Sequence, residues 1–234
     1  TFSSGVTASM GNLIASETKE RAYEVYKRVD FINYWLYTFT ATCLLCLVEP
    51  FVAIWLGQDF VLTKAILILA VAIYYFKGIN SGIDIAKNAA GLYYPDRFIP
   101  MAEAIANMVI SIVLAKRYGI AGVLFGTLVS FLALSFWAKP YFVCRDVFEV
   151  SFARYAVREG REIVVSVLVA AGTWYAVSLV SLANVLLSFG VKALLALALS
   201  NGLLLLVYFK TSEFQYLRGL LESAANRIGK RKKA

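Results

Sequence analysis

Six long apolar stretches alternate with loops of sharply unequal charge. They run at Ile32–Trp55, Val61–Ile85, Ile99–Ala115, Gly119–Pro140, Glu162–Leu182 and Leu187–Phe209. Each is near the ~20 residues a helix needs to cross a hydrocarbon core of ~30 Å. Lipid offers the backbone no hydrogen-bond partner, so a segment of this kind must satisfy its own N–H and C=O groups as a helix. The expected fold is an all-α membrane protein. It is a polytopic helical bundle of about six full transmembrane helices plus the end of a seventh.

Composition agrees. Apolar residues make up 60% of the chain and charged residues 16%, against about 45–50% and about 25% in soluble domains. The net charge of +8 raises the question of nucleic acid. The Lys and Arg residues cluster beside the apolar stretches, however, and no helix-turn-helix or RNP-like pattern is present. An anionic membrane leaflet is the better partner for such a distribution. The chain has no His, no GxSxG, no P-loop and no acidic metal motif. No catalytic site, cofactor or metal is expected, and the chain is not read as an enzyme. Cys43, Cys46 and Cys144 read as small apolar fillers.

Charge also orients the chain. Residues 16–30, 86–98, 139–161 and the tail after Phe209 hold eighteen Lys and Arg, and the opposite loops hold four. The positive-inside rule then places both ends in the cytoplasm. Lys64 and Lys192 are expected to snorkel to the outer interface. Residues 1–15 read as the end of a truncated transmembrane helix, so the chain is expected to be the C-terminal part of a longer protein. Residues 16–30 read as an amphipathic cytoplasmic segment, either on the membrane surface or continuing a span. Ser16 is placed to cap it, with Glu17–Arg21 and Glu24–Arg28 as supporting pairs. Phe148, Phe152 and Tyr155 with Arg154 and Arg158 read as a second such helix. Residues 31–209 form the six-helix bundle, and 210–234 a basic cytoplasmic tail ending in the run Arg227–Lys233.

Polar side chains inside a span are costly and are candidates for function. Lys77 is the deepest cation. Lys77, Asn80, Ser81, Asp84 and Asn88 recur at helical spacing on one face, with Lys87 one turn beyond Asp84. Glu103, Asn107 and Ser111 repeat along one face of the next span. Candidate cavity residues are therefore Lys77, Asn80, Lys87, Asn88 and Asn107. Candidate ion-coupling residues are Asp84 and Glu103. A second reading stands beside this one: Asp84 and Glu103 pair with Lys87 or Arg97 to pin helices, and Asn107 hydrogen-bonds between helices. Gly122 and Gly126 permit two helices to approach closely.

Three segments carry a family likeness: TASMGNLIASETKERAYEVYKRVDFINYWLYTF, EPFVAIWLGQDFVL and AKNAAGLYYPDRFIPMAEAIANMVISIVLAKRYGIAGVLFGTLVS. They resemble the C-terminal half of bacterial polysaccharide flippases, the Wzx-type oligosaccharide exporters of the MATE-like superfamily. The likeness reaches to about Val150. It implies two helical bundles round a central cavity, with this chain supplying one of them and the N-terminal half missing. It also implies alternating-access transport of undecaprenyl-pyrophosphate-linked oligosaccharide across the bacterial cytoplasmic membrane, for capsule or exopolysaccharide. On that likeness Lys77 and Lys87 offset the pyrophosphate charge, and Asp84 and Glu103 bind a coupling H⁺ or Na⁺. The alternative is a multidrug or cation antiporter of the same superfamily.

Overall fold

A computed structural model describes residues 2–219. Its α-helices include α1 (Phe2–Ser16), α2 (Lys19–Trp55), α3 (Lys64–Ala89), α4 (Ile99–Tyr118), α5 (Ile120–Ala133), α6 (Ser135–Val143), α7 (Phe152–Ser178) and α8 (Val185–Tyr208), and residues 212–219 are helical as well. Six helical spans are long and apolar enough to cross a membrane, with α5 and α6 counted as one. The protein is an all-α, multi-pass membrane bundle.

Helix α2 is the axis of the bundle and packs against α3, α7 and α8. Of the two readings of residues 16–30, the one that continues a span fits: from Lys19 they are the first turns of α2. Tyr23, Tyr26 and Asp30 are buried there, which a surface helix would not allow. The helix is capped by Thr18, whose Oγ1 accepts from the Arg21 N–H. Ser16 does not cap it. Ser16 belongs to the last turn of α1 and donates to the Asn12 carbonyl. Glu24 pairs with Lys27, while the Arg28 guanidinium lies over the Tyr216 ring. Of the second expected surface helix, Phe152, Arg154, Tyr155 and Arg158 lie in the first turns of α7, and Phe148 lies before it.

Helices α4 and α5 form a hairpin around Gly119 (φ 57°). Gly122 and Gly126 make its contact close. A Cβ on Gly122 would stand 2.4 Å from the Leu114 carbonyl oxygen, and one on Gly126 would stand 2.6 Å from Ser111 Oγ. Helix α5 bends at Leu134 into α6, which ends in a π-turn, Cys144–Phe148, closed by Glu149 in the left-handed region. After α8 the chain turns back, and Phe214 stacks on Trp35 of α2. The basic run Arg227–Lys233 lies outside the described residues.

Candidate functional site

The polar face of α3 was the leading candidate from sequence, and its residues have distinct fates. Asn80 is buried and structural. Pro140 has no N–H, so the Phe136 carbonyl one turn earlier loses its helical donor. The Asn80 amide supplies that donor at 3.2 Å. Asp84 pairs with Lys139 of α6 at 2.8 Å. Lys87 pairs with the buried Asp96 in the loop before α4. Glu103 of α4 accepts from Ser135 at the α5–α6 bend. Asn107 accepts from Ser111 at 2.9 Å and from Thr127 at 3.2 Å, which ties α4 to α5. The pinning expected between helices is present here, with partners other than Lys87 and Arg97 for Asp84 and Glu103. Asn88 is exposed near the end of α3.

Lys77 differs from all of these. It stands at the middle of α3, is exposed, and has its Nζ 5.8 Å from the centre of the Phe131 ring. Among the described residues it makes no ion pair. Two of its neighbours on α3, Tyr74 and Ser81, are polar. Tyr74 meets the Thr40 hydroxyl of α2 at 2.8 Å, and Ser81 donates to Asn33 of α2. An unpaired ammonium at the centre of a span costs about 2.5–3.5 kcal/mol against lipid. A strip of hydroxyls and amides flanking a cation is chemistry for water or a polar cargo, not for acyl chains.

A second feature lies between α2, α3 and α7. It is a cleft of about 460 Å³ walled chiefly by Leu45, Leu67, Val71, Ala170 and Trp174. Its inner end is closed by hydroxyls. Ser166 meets Thr38 at 2.8 Å and accepts from Tyr75 at 2.9 Å. At the other end Glu49, Lys64 and Trp174 also border a polar mouth of about 360 Å³, completed by Gln58 and Lys192. Pro50, inside α2, lines this mouth. The two lysines expected at the outer interface, Lys64 and Lys192, border one vestibule. Lys64 Nζ lies 5.9 Å from the Trp174 ring centre.

The sequence reading missed the most polar part of the interior. Asp30 of α2 forms an ion pair with Arg158 of α7. Glu159 and Glu162 beside it are 3% and 5% exposed. Glu159, Glu162, Ser166 and Thr173 all lie on the buried side of α7. Their spacing of three, four and seven residues is the signal that marks one helical face. Among the described residues no group of His, Cys, Asp and Glu is arranged to hold a metal ion.

No family model, no curated protein and no solved structure matches the chain.

Proposed function

We propose that the chain is one lobe of a bacterial flippase. Its cargo is undecaprenyl-pyrophosphate-linked oligosaccharide, moved across the cytoplasmic membrane by alternating access for capsule or exopolysaccharide synthesis. The observation that carries this reading is Lys77, an exposed cation at mid-span on a polar face of α3 with no ion pair among the described residues. A pyrophosphate crossing the membrane needs cations at that depth, and the flanking hydroxyls and amides suit a sugar chain. The cleft between α2, α3 and α7 adds an apolar wall with a lysine-bordered mouth, a surface that fits an anionic headgroup on an isoprenoid chain. The resemblance of residues up to about Val150 to the Wzx-type exporters points the same way. On this reading the open face of α3 meets the N-terminal lobe across a water-filled cavity, and both ends of the chain are cytoplasmic. The charged residues of α3 and α4 serve mainly as helix pins. Lys77 remains the cargo-facing member of the original set.

Deleting the gene tests this directly. Lipid-linked repeat units should accumulate, protected from an externally added glycosidase, and surface polysaccharide should fall. Susceptibility to cationic drugs should stay the same. Unchanged surface polysaccharide together with drug hypersensitivity would replace the flippase with the antiporter.

A further inference from the structure

The cleft between α2, α3 and α7 has the depth of one membrane leaflet. Its polar mouth lies where α2 closes at Trp55, α3 opens at Lys64 and α7 closes at Ser178. Its inner end lies at Thr38, Tyr75 and Ser166. Glu49 and Thr38 are eleven residues apart on α2, and so are Lys64 and Tyr75 on α3. That separation is about 16 Å along a helix, close to half of a ~30 Å hydrocarbon core. Helices α3 and α7 both pack on α2 and form the two sides. Ile68 of α3 and Val167 of α7 line the cleft and yet are 55% and 60% exposed, so it is open sideways.

The two ends of the cleft suit different chemistry. At the inner end Tyr75 donates to Ser166, Ser166 meets Thr38, and Thr42 donates to the Thr38 carbonyl at 2.7 Å. These hydroxyls are satisfied within the protein, so a hydrocarbon chain can end there without breaking a hydrogen bond. The mouth is charged. Lys64 and Lys192 border it, and Glu49 is the one carboxylate along its lining. Asp59, next to Gln58 in the sequence, is not part of that lining. None of Glu49, Lys64 and Lys192 makes an ion pair among the described residues, which leaves one positive charge in excess. Lys64 lies 5.9 Å from the centre of the Trp174 ring, and a Trp between apolar wall and charged mouth marks headgroup depth.

We infer that the cleft is a binding site for one anionic glycerophospholipid with a glycerol headgroup. One acyl chain lies between α3 and α7. The phosphate meets Lys64 and Lys192, and the headgroup hydroxyls donate to Glu49 and Gln58. The single negative charge of a phosphodiester neutralises the excess at the mouth. A zwitterionic headgroup would bring another cation up to the two lysines. An isoprenoid carrier shares the phosphate and the apolar chain, but its chain is longer than one leaflet is deep, so the cleft cannot hold it along its length. A phospholipid chain ends at the midplane, where the cleft ends. On the topology expected from charge the lipid belongs to the outer leaflet. It fills the gap between α3 and α7 and so braces the helix that carries Lys77. The site is separate from the Lys77 face and does not rest on the flippase reading.

Native mass spectrometry of the full-length protein in detergent tests the site with no transport assay. Phosphatidylglycerol, phosphatidylethanolamine, phosphatidylcholine and undecaprenyl phosphate are titrated in turn. Phosphatidylglycerol should bind most tightly, one per chain. Lys64→Gln with Lys192→Gln should weaken its binding by roughly thirtyfold, about fivefold for each lysine. Lys64→Arg with Lys192→Arg should keep it, and so should Lys116→Gln, a lysine in the last turn of α4. Ala170→Trp, which fills the cleft from α7, should abolish it. If the Ala170→Trp protein does not fold, the lysine pairs decide alone. Equal binding of a zwitterionic lipid, or phosphatidylglycerol binding unchanged in the Gln pair or in a folded Ala170→Trp protein, overturns the inference. Undecaprenyl phosphate displacing phosphatidylglycerol at equal concentration also overturns it and gives the cleft to the carrier. Normal surface polysaccharide after gene deletion would sink the proposed function and leave this site standing.

Discussion

Asn80 of α3 donates its amide proton to the Phe136 carbonyl that Pro140 leaves without a helical donor. A side chain that reads as cargo-binding from sequence thus completes the backbone of a neighbouring helix. Removing it leaves a buried carbonyl unpaired. Asn80→Ala should destabilise the protein by about 1–3 kcal/mol, read as a lower thermal midpoint in detergent. In a Pro140→Ala background the new N–H reaches Phe136, so the penalty should shrink. Additive effects in that double-mutant cycle would refute the assignment.

The Asp30–Arg158 pair depends on a glycine. A Cβ on Gly82 would stand 2.3 Å from Asp30 Oδ1, so Gly82→Ala must displace the carboxylate from Arg158. Breaking one side of a buried ion pair costs about 3–5 kcal/mol. The expected result is a large drop in thermal midpoint. Gly82→Ala should add little once Asp30→Ala has removed the carboxylate. A Gly82→Ala protein as stable as the wild type would show that Asp30 has room elsewhere.

The expected topology rests on the eighteen-to-four charge asymmetry, and the vestibule shared by Gln58, Lys64 and Lys192 requires those three to lie on one side. A reporter at Gln58 should read external, and reporters at Val150 and after Lys233 cytoplasmic. A cytoplasmic signal at Gln58 would invert the whole arrangement, the vestibule included.

The spans were legible because runs of apolar residues near membrane length admit one fold. The close α4–α5 contact was legible because Gly122 and Gly126 recur one turn apart. The buried charges of α7 were not. Arg158 and Glu162 lie at the polar start of an apolar stretch, where a solvated helix end has the same composition. Their partner Asp30 is 128 residues distant from Arg158, so no local pattern links them. The stripe Glu159, Glu162, Ser166 and Thr173 was available to periodicity, but only if α7 begins before its apolar stretch does. Asn80 was misread for a related reason. A polar residue on a span marks a need for partners, and sequence does not say whether the partner is cargo or a proline-freed carbonyl.

Lys77 is the sharpest test of the flippase reading. It is exposed, with no ion pair among the described residues, so no folded-state pairing is lost when it is removed. Lys77→Ala should even ease insertion of α3, since a cation at mid-span costs about 2.5–3.5 kcal/mol. The full-length protein carrying Lys77→Ala should therefore reach the membrane at normal or higher levels while surface polysaccharide falls. Lys77→Arg should retain more export than Lys77→Ala or Lys77→Met, because a pyrophosphate needs a cation and hydrogen-bond donors more than a particular shape. Lys116→Ala, in the last turn of α4, is the control and should export normally. Normal polysaccharide in the Lys77→Ala strain would leave the cation without a cargo. Reduced protein in the membrane would mean that Lys77 holds the lobe to a partner helix instead.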